Sequence, residues 1–107
     1  MIFDCYILEG NCIKDLNTEI RYSIAAGRAN GCELIKLTIS DPTGSESEKV
    51  LSCALRILGT MKREGHLQFY VKNVLDGSRE SEYLNNKYSE HLKKESVSAA
   101  NSIYVKL

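Results

Sequence analysis

The sequence predicts an α/β domain spanning residues 1–107, a two-layer sandwich of order β-α-β-α-β-α-β. Its sheet is expected to be four-stranded, mainly parallel or mixed, with one face at least partly open. Three observations carry that expectation. Segments of alternating apolar and polar residues, the mark of half-buried strands, recur along the chain. Between them lie segments whose apolar residues repeat at helical spacing. Those helical segments are also long enough to serve as crossovers between parallel strands, which need a dozen residues or more.

Ile2 to Leu8 reads as the first strand, with Phe3, Cys5 and Ile7 alternating against Ile2, Asp4, Tyr6 and Leu8. Glu9-Gly10 ends it. Asn11 is placed to cap a helix in which Ile13, Leu16, Ile20 and Ile24 share a face, and Gly31 closes that helix. The second strand, Cys32 to Ile39, sets Ile35, Leu37 and Ile39 against Leu34, Lys36 and Thr38. It breaks at Ser40-Asp41-Pro42-Thr43-Gly44, after which Ser45 and Glu48 match the S-x-x-E capping box of a second helix. Val50, Leu51, Ala54, Leu55, Leu58 and Met61 are that helix's buried stripe, and Gly65 its stop.

His66 to Lys72 reads as a third strand, Leu67, Phe69 and Val71 alternating with Gln68, Tyr70 and Lys72. An Asp76-Gly77-Ser78 turn opens a polar helical stretch, Arg79 to Glu95, with a thin stripe of Tyr83, Leu84, Tyr88, His91 and Leu92. The linker SVSAANS leads to a closing strand in which Ile103, Val105 and Leu107 alternate with Tyr104 and Lys106. In this parity the open face carries Tyr6, Lys36, Thr38, Gln68, Tyr70, Lys72, Tyr104 and Lys106.

Fourteen basic and fourteen acidic side chains cancel, so no global field draws the chain to nucleic acid or anionic lipid, and such binding must come from a local patch. No apolar run reaches the ~20 residues that cross a bilayer. The N-terminus has an acid at its fourth residue and no basic leader, so neither a signal peptide nor membrane association is expected. Four cysteines, Cys5, Cys12, Cys32 and Cys53, form no CxxC pair, and His66 and His91 are remote from each other. Reduced thiols in a cytoplasmic protein, without metal or cofactor, are the expectation.

Asp4-Cys5-Tyr6 in the first strand, Thr38 to Gly44 after the second, and Ser102 to Leu107 at the end carry a resemblance. In order and spacing they resemble the Smr (small MutS-related) domain family, whose core is similar to the C-terminal domain of translation initiation factor 3. The family carries Asp-x-His-Gly on its first strand and His-Gly-x-Gly after its second. Here neither histidine is present, the first motif lacks its glycine, and Gly44 alone stands for the loop. The resemblance covers about the first seventy residues and the last strand. It implies nuclease or nucleic-acid-binding activity, and the missing histidines leave binding as the part that carries over.

Two candidate sites follow. Tyr6, Lys36, Thr38, Tyr70, Lys72, Tyr104 and Lys106 combine rings that stack on bases with ammonium groups that neutralise phosphates, which suits RNA or DNA. The same residues suit a protein interface or a homodimer, and also a plain solvated or helix-covered face. Gly44 and Ser45, at a helix start, could hold an anion, although Glu46 and Glu48 oppose one and ordinary capping explains the pattern. No catalytic set is legible: a cysteine nucleophile needs a nearby base, and Cys5 mid-strand and Cys53 mid-helix suit core roles, while Asp4 with Asp41 has simpler strand and turn roles. A degenerate hydrolase is therefore the most distant reading.

Overall fold

The structure is a computed structural model that describes residues 3–9, 15–40, 47–94 and 102–107. Its elements are strand β1 (Phe3–Glu9), helix α1 (Leu16–Ala29), strand β2 (Leu34–Ser40), helix α2 (Ser47–Arg63), strand β3 (Phe69–Val71), helices α3 (Arg79–Lys87) and α4 (Ser89–Lys94), and strand β4 (Ser102–Lys106). The sheet order is β1-β2-β4-β3. The predicted caps at Asn11 and Ser45, the Asp41-Pro42 turn and the linker up to its last residue lie outside the described residues; that last residue, Ser102, is the first of β4.

Both long helices end as their glycines require. At the end of α1 the Cys32 N–H donates to the Gly27 carbonyl (2.9 Å) and the Gly31 N–H to that of Arg28 (3.0 Å), with Gly31 at φ 74°. At the end of α2 the His66 N–H reaches Met61 (2.8 Å) and the Gly65 N–H reaches Lys62 (3.0 Å), with Gly65 at φ 80°. This paired pattern satisfies the last helical carbonyls, and its pivot residue sits in the left-handed region that glycine enters without strain.

Two expectations about the sheet are corrected. It is not mainly parallel: β1 pairs with β2 in parallel, but β4 runs antiparallel to both β2 and β3, so β2, β4 and β3 form a three-stranded antiparallel unit. Nor is the domain two-layered with an open face. α1 and α2 pack on one side of the sheet over Ile35, Leu37, Ile39, Ile103 and Val105, while Leu84 of α3, Leu92 of α4 and Val74 pack on the other over Leu34, Val71 and Tyr104. The reason is that a strand's mixed side is not necessarily wet. Tyr104 buries a large ring, and Lys36 buries its aliphatic stem beside it, enough apolar surface to hold a second helical layer at roughly 25 cal/mol per Å² buried.

The β-α-β-α-β-α-β order is also corrected, because the predicted helix Arg79–Glu95 is two helices that meet at Tyr88. There φ is −121° and ψ 27°, a single residue out of helical geometry. The joint is tight: the Tyr88 N–H still donates to Leu84 and the Leu92 N–H to the Tyr88 carbonyl, both at 2.9 Å. Ser78 caps α3, accepting from the Ser81 N–H at 3.1 Å. The Ser81 hydroxyl in turn donates to the carboxylate of Asp76, whose carboxyl is held below its ordinary value by that hydroxyl and by the Ser78 N–H.

The parity of β3 is reversed relative to expectation. Register pairs Phe69 with Lys106, Tyr70 with Val105 and Val71 with Tyr104. Tyr70 therefore lies under α2, and Phe69 and Val71 join the α3–α4 side. Alternation from His66 onward misleads because the strand begins only at Phe69.

Candidate functional site

The seven residues expected to form a binding face are divided by the structure. Lys36 and Tyr104 do share a side of the sheet, but at 3% and 1% exposure both are buried, Tyr104 packed with Leu84 of α3 and Leu92 of α4. The Lys36 ammonium lies 6.0 Å from the Tyr104 ring centre, within the range of cation–π attraction. Thr38 is beside them, its Oγ1 3.4 Å from Ser102 Oγ. Tyr70 is on the opposite side, its hydroxyl against Gly59 of α2. Lys72 is exposed just past β3. Tyr6 pairs in register with Leu37 rather than with Lys36, and its side chain is outside the described set. Gly44 and Ser45 also lie outside the described residues.

Lys106 belongs to a cluster that the sequence did not reveal. Just before β2, Glu33 accepts from Lys87 Nζ (2.7 Å), Tyr83 Oη (2.8 Å) and Lys106 Nζ (3.0 Å) on one carboxylate oxygen and from Tyr88 Oη (2.5 Å) on the other. Its backbone carbonyl accepts from the Leu107 N–H at 3.0 Å. Glu33 thereby ties the start of β2 to the end of β4 and to the α3–α4 joint. Tyr83 is further fixed edge-on to Phe69 of β3, ring centres 5.8 Å apart and planes at 85°.

The electrostatics follow from the geometry. The Lys87 ammonium first, then the Tyr88 and Tyr83 hydroxyls and Lys106, hold the Glu33 carboxyl well below the usual carboxylate range. The hydrogen bond to Glu33 holds Lys87 above its ordinary value, and burial, then Glu33, push the Tyr88 phenol up. The Glu33 carboxylate is saturated with donors, and Lys87 and Tyr88 are held in their protonated forms, so near neutral pH Glu33 is not free to act as a general base nor those two as general acids. The cluster works as a clasp. A local signal existed in Tyr83, Lys87 and Tyr88, whose spacing puts three polar tips close together on one helix.

An open cavity of about 460 Å³ is lined by Lys87, Tyr88, Ser89, Glu90 and His91 on the outer side of the α3–α4 joint. Among the described residues, all five belong to the one segment that joins α3 to α4. Among the described residues no group of three or more His, Cys, Asp and Glu side chains is placed to hold a metal ion. Nor is any helix among them long and apolar enough to cross a membrane.

The edges of the sheet differ. β3 is an edge of three residues followed at once by the exposed Lys72. β1 is an edge of seven residues, FDCYILE, that contains no lysine, no proline and no glycine, and among the described residues it pairs with β2 alone. Short length, lysine and proline are the usual devices that keep an edge from pairing with another chain. β3 has two of them and β1 has none.

In comparisons with known proteins, no family model, no curated protein and no solved structure matches this chain.

Proposed function

We propose that the chain is a protein-binding module without catalytic chemistry of its own, which takes up a partner strand along the outer edge of β1. The observation that supports this reading is the seven-residue edge, which among the described residues pairs with β2 alone and carries neither lysine nor proline. Strand addition draws its affinity from main-chain hydrogen bonds, for which an edge strand presents a ready row of N–H and C=O groups. The covered face over β2, β4 and β3 favours an edge over a face: stacking bases on Tyr104 would require lifting a helical layer that also buries Leu84, Leu92 and Val74.

The test is selection of extended peptides from a displayed library on the immobilised chain, repeated on two variants, Cys5→Pro and Tyr6→Pro. Successive residues of a strand aim their N–H groups to opposite sides, so one proline blocks the free edge and the other breaks the ladder to β2. Circular dichroism identifies the variant that keeps its fold. Peptides that bind the parent chain and lose the folded proline variant support the edge reading. Peptides that bind both equally refute it, as does no enrichment over a blank support by a chain that is itself monomeric.

A further inference from the structure

We infer that the partner strand is β1 of a second copy of this chain, paired antiparallel about a two-fold axis to give one continuous eight-stranded sheet of order β3-β4-β2-β1-β1-β2-β4-β3. The order is that of the single sheet doubled at its β1 edge, and the inference rests on the strand-addition reading above. What it adds is the identity of the occupant.

The argument is one of symmetry and charge. A two-fold axis perpendicular to a sheet pairs a strand with its own copy in antiparallel sense, and residue i then faces residue j only if j also faces i. Closely and widely spaced pairs alternate along an antiparallel ladder, so the axis must pass through a residue that faces itself. Paired residue numbers therefore sum to an even number. The two charged residues of β1 are Asp4 and Glu9, whose numbers sum to an odd one. No symmetric register sets Asp4 opposite Glu9. An acid meets its own copy only when the axis passes through Asp4 or Glu9, near the strand ends, where few residues overlap.

The register of greatest overlap centres on Tyr6, the middle residue of the strand, and pairs all seven residues. It places Phe3 opposite Glu9, Asp4 opposite Leu8, Cys5 opposite Ile7 and Tyr6 opposite itself. Every carboxylate faces an uncharged residue, so the penalty for like charges directly opposite is absent. The uncharged run Cys5-Tyr6-Ile7-Leu8 lies around the axis. A second copy is also the one strand always present at the chain's own concentration, which mass action favours.

The experiment is sedimentation equilibrium of the purified chain under reducing conditions, from low micromolar to several hundred micromolar. The average mass is expected to rise from one chain to two and to stop there, because a closed two-fold pairing leaves only the short β3 edges outside. The folded proline variant is expected to stay at one chain at the highest concentration. Raising the salt is expected to leave the dimer in place, since no ion pair forms in this register. Hydrogen exchange gives a second readout that needs no variant: alternate amides of β1 gain protection at high concentration and not at low.

A chain that remains a monomer throughout overturns the inference, as does a dimer whose β1 amides exchange alike at both concentrations. So does association that continues beyond two chains or dissolves steeply with salt. If displayed peptides bind the edge while the chain alone stays monomeric, the second copy is excluded and strand addition stands. If both fail, the edge reading falls with it.

Discussion

Replacing Glu33 isolates the clasp that holds the outer helices to the sheet. In Glu33→Ala, Tyr83, Tyr88 and Lys106 lose the carboxylate they share, with donor–acceptor distances of 2.8, 2.5 and 3.0 Å. A hydrogen bond to a charged group contributes about 1.5–3 kcal/mol. The Glu33 side chain is 21% exposed, so solvent screens part of this and the lower end applies; Lys87, at the rim, is given no share. Three bonds at about 1.5 kcal/mol would give about 4.5 kcal/mol if they added; sharing one carboxylate they do not, so the loss should be roughly 3 kcal/mol, and Glu33→Gln, which keeps an acceptor but loses the charge, should cost about half of that. For a domain of this size the alanine variant should melt on the order of 10 °C lower.

The location of the loss matters more than its size. Amide exchange should accelerate first in α3 and α4, with α1 and α2 less affected. The pH dependence has a definite sign. Because the folded Glu33 carboxyl is held low, its contribution is complete above the unfolded value of about 4.3 and disappears as pH falls through the folded one. Lys87 and Tyr88 are held high; their contributions are complete below an unfolded value of about 10 and disappear as pH rises through the folded ones. Urea midpoints measured against pH should therefore show an acid limb that flattens in Glu33→Gln. An unchanged acid limb together with unchanged exchange in α3 would refute the clasp.

Further predictions concern other joints of the fold. Tyr104→Ala should cost about 3–5 kcal/mol in urea unfolding, because the ring is fully buried between the sheet and α3; a loss under 1 kcal/mol would contradict the second core. A Cβ at Gly59 would lie 3.1 Å from the Tyr70 hydroxyl, so Gly59→Ala should be neutral or harmful alone. In a Tyr70→Phe background it should recover up to about 1 kcal/mol of helix propensity, and equal effects in both backgrounds would sink this contact. Gly65→Ala should destabilise by about 1 kcal/mol from backbone strain alone, since φ is 80° and no atom lies within 4 Å of the added carbon. Ser78→Ala should cost about 1 kcal/mol and raise exchange in the first turn of α3, where its cap bond is lost.

The local grammar of the chain was legible and its long-range pairing was not. The stripes of α1 and α2, the glycine stops at Gly31 and Gly65, and the face shared by Ile35, Leu37 and Ile39 all follow from periodicity within a few residues. The parity of β3 did not. With helices on both sides of the sheet, alternation no longer distinguishes inside from outside, and tyrosine fits either side. Lys36 reads as solvent-facing by residue type, yet it lies buried beside the Tyr104 ring. Glu33 meets partners 50 to 73 positions further along the chain, a distance at which no local pattern speaks. The edge at β1 was hidden for a related reason: strand order is a property of the whole sheet, and only with it known does the absence of lysine and proline in FDCYILE acquire meaning.

The interior position of β4 imposes an order of assembly. β1, α1 and β2 form a unit whose parallel pair is complete once residue 40 is available. β3 precedes β4 in the chain, and among the described residues β4 is its one strand neighbour in the sheet, so that pairing waits for residues 102 to 106. The outer core waits for the same event, because Tyr104 is its largest buried side chain. Until then Val71, Val74, Leu84 and Leu92 lack their central ring, and Glu33 lacks Lys106. β4 thus acts as a keystone: it is added last in sequence, and when it is set between β2 and β3 the third strand, the outer helices and the clasp close together.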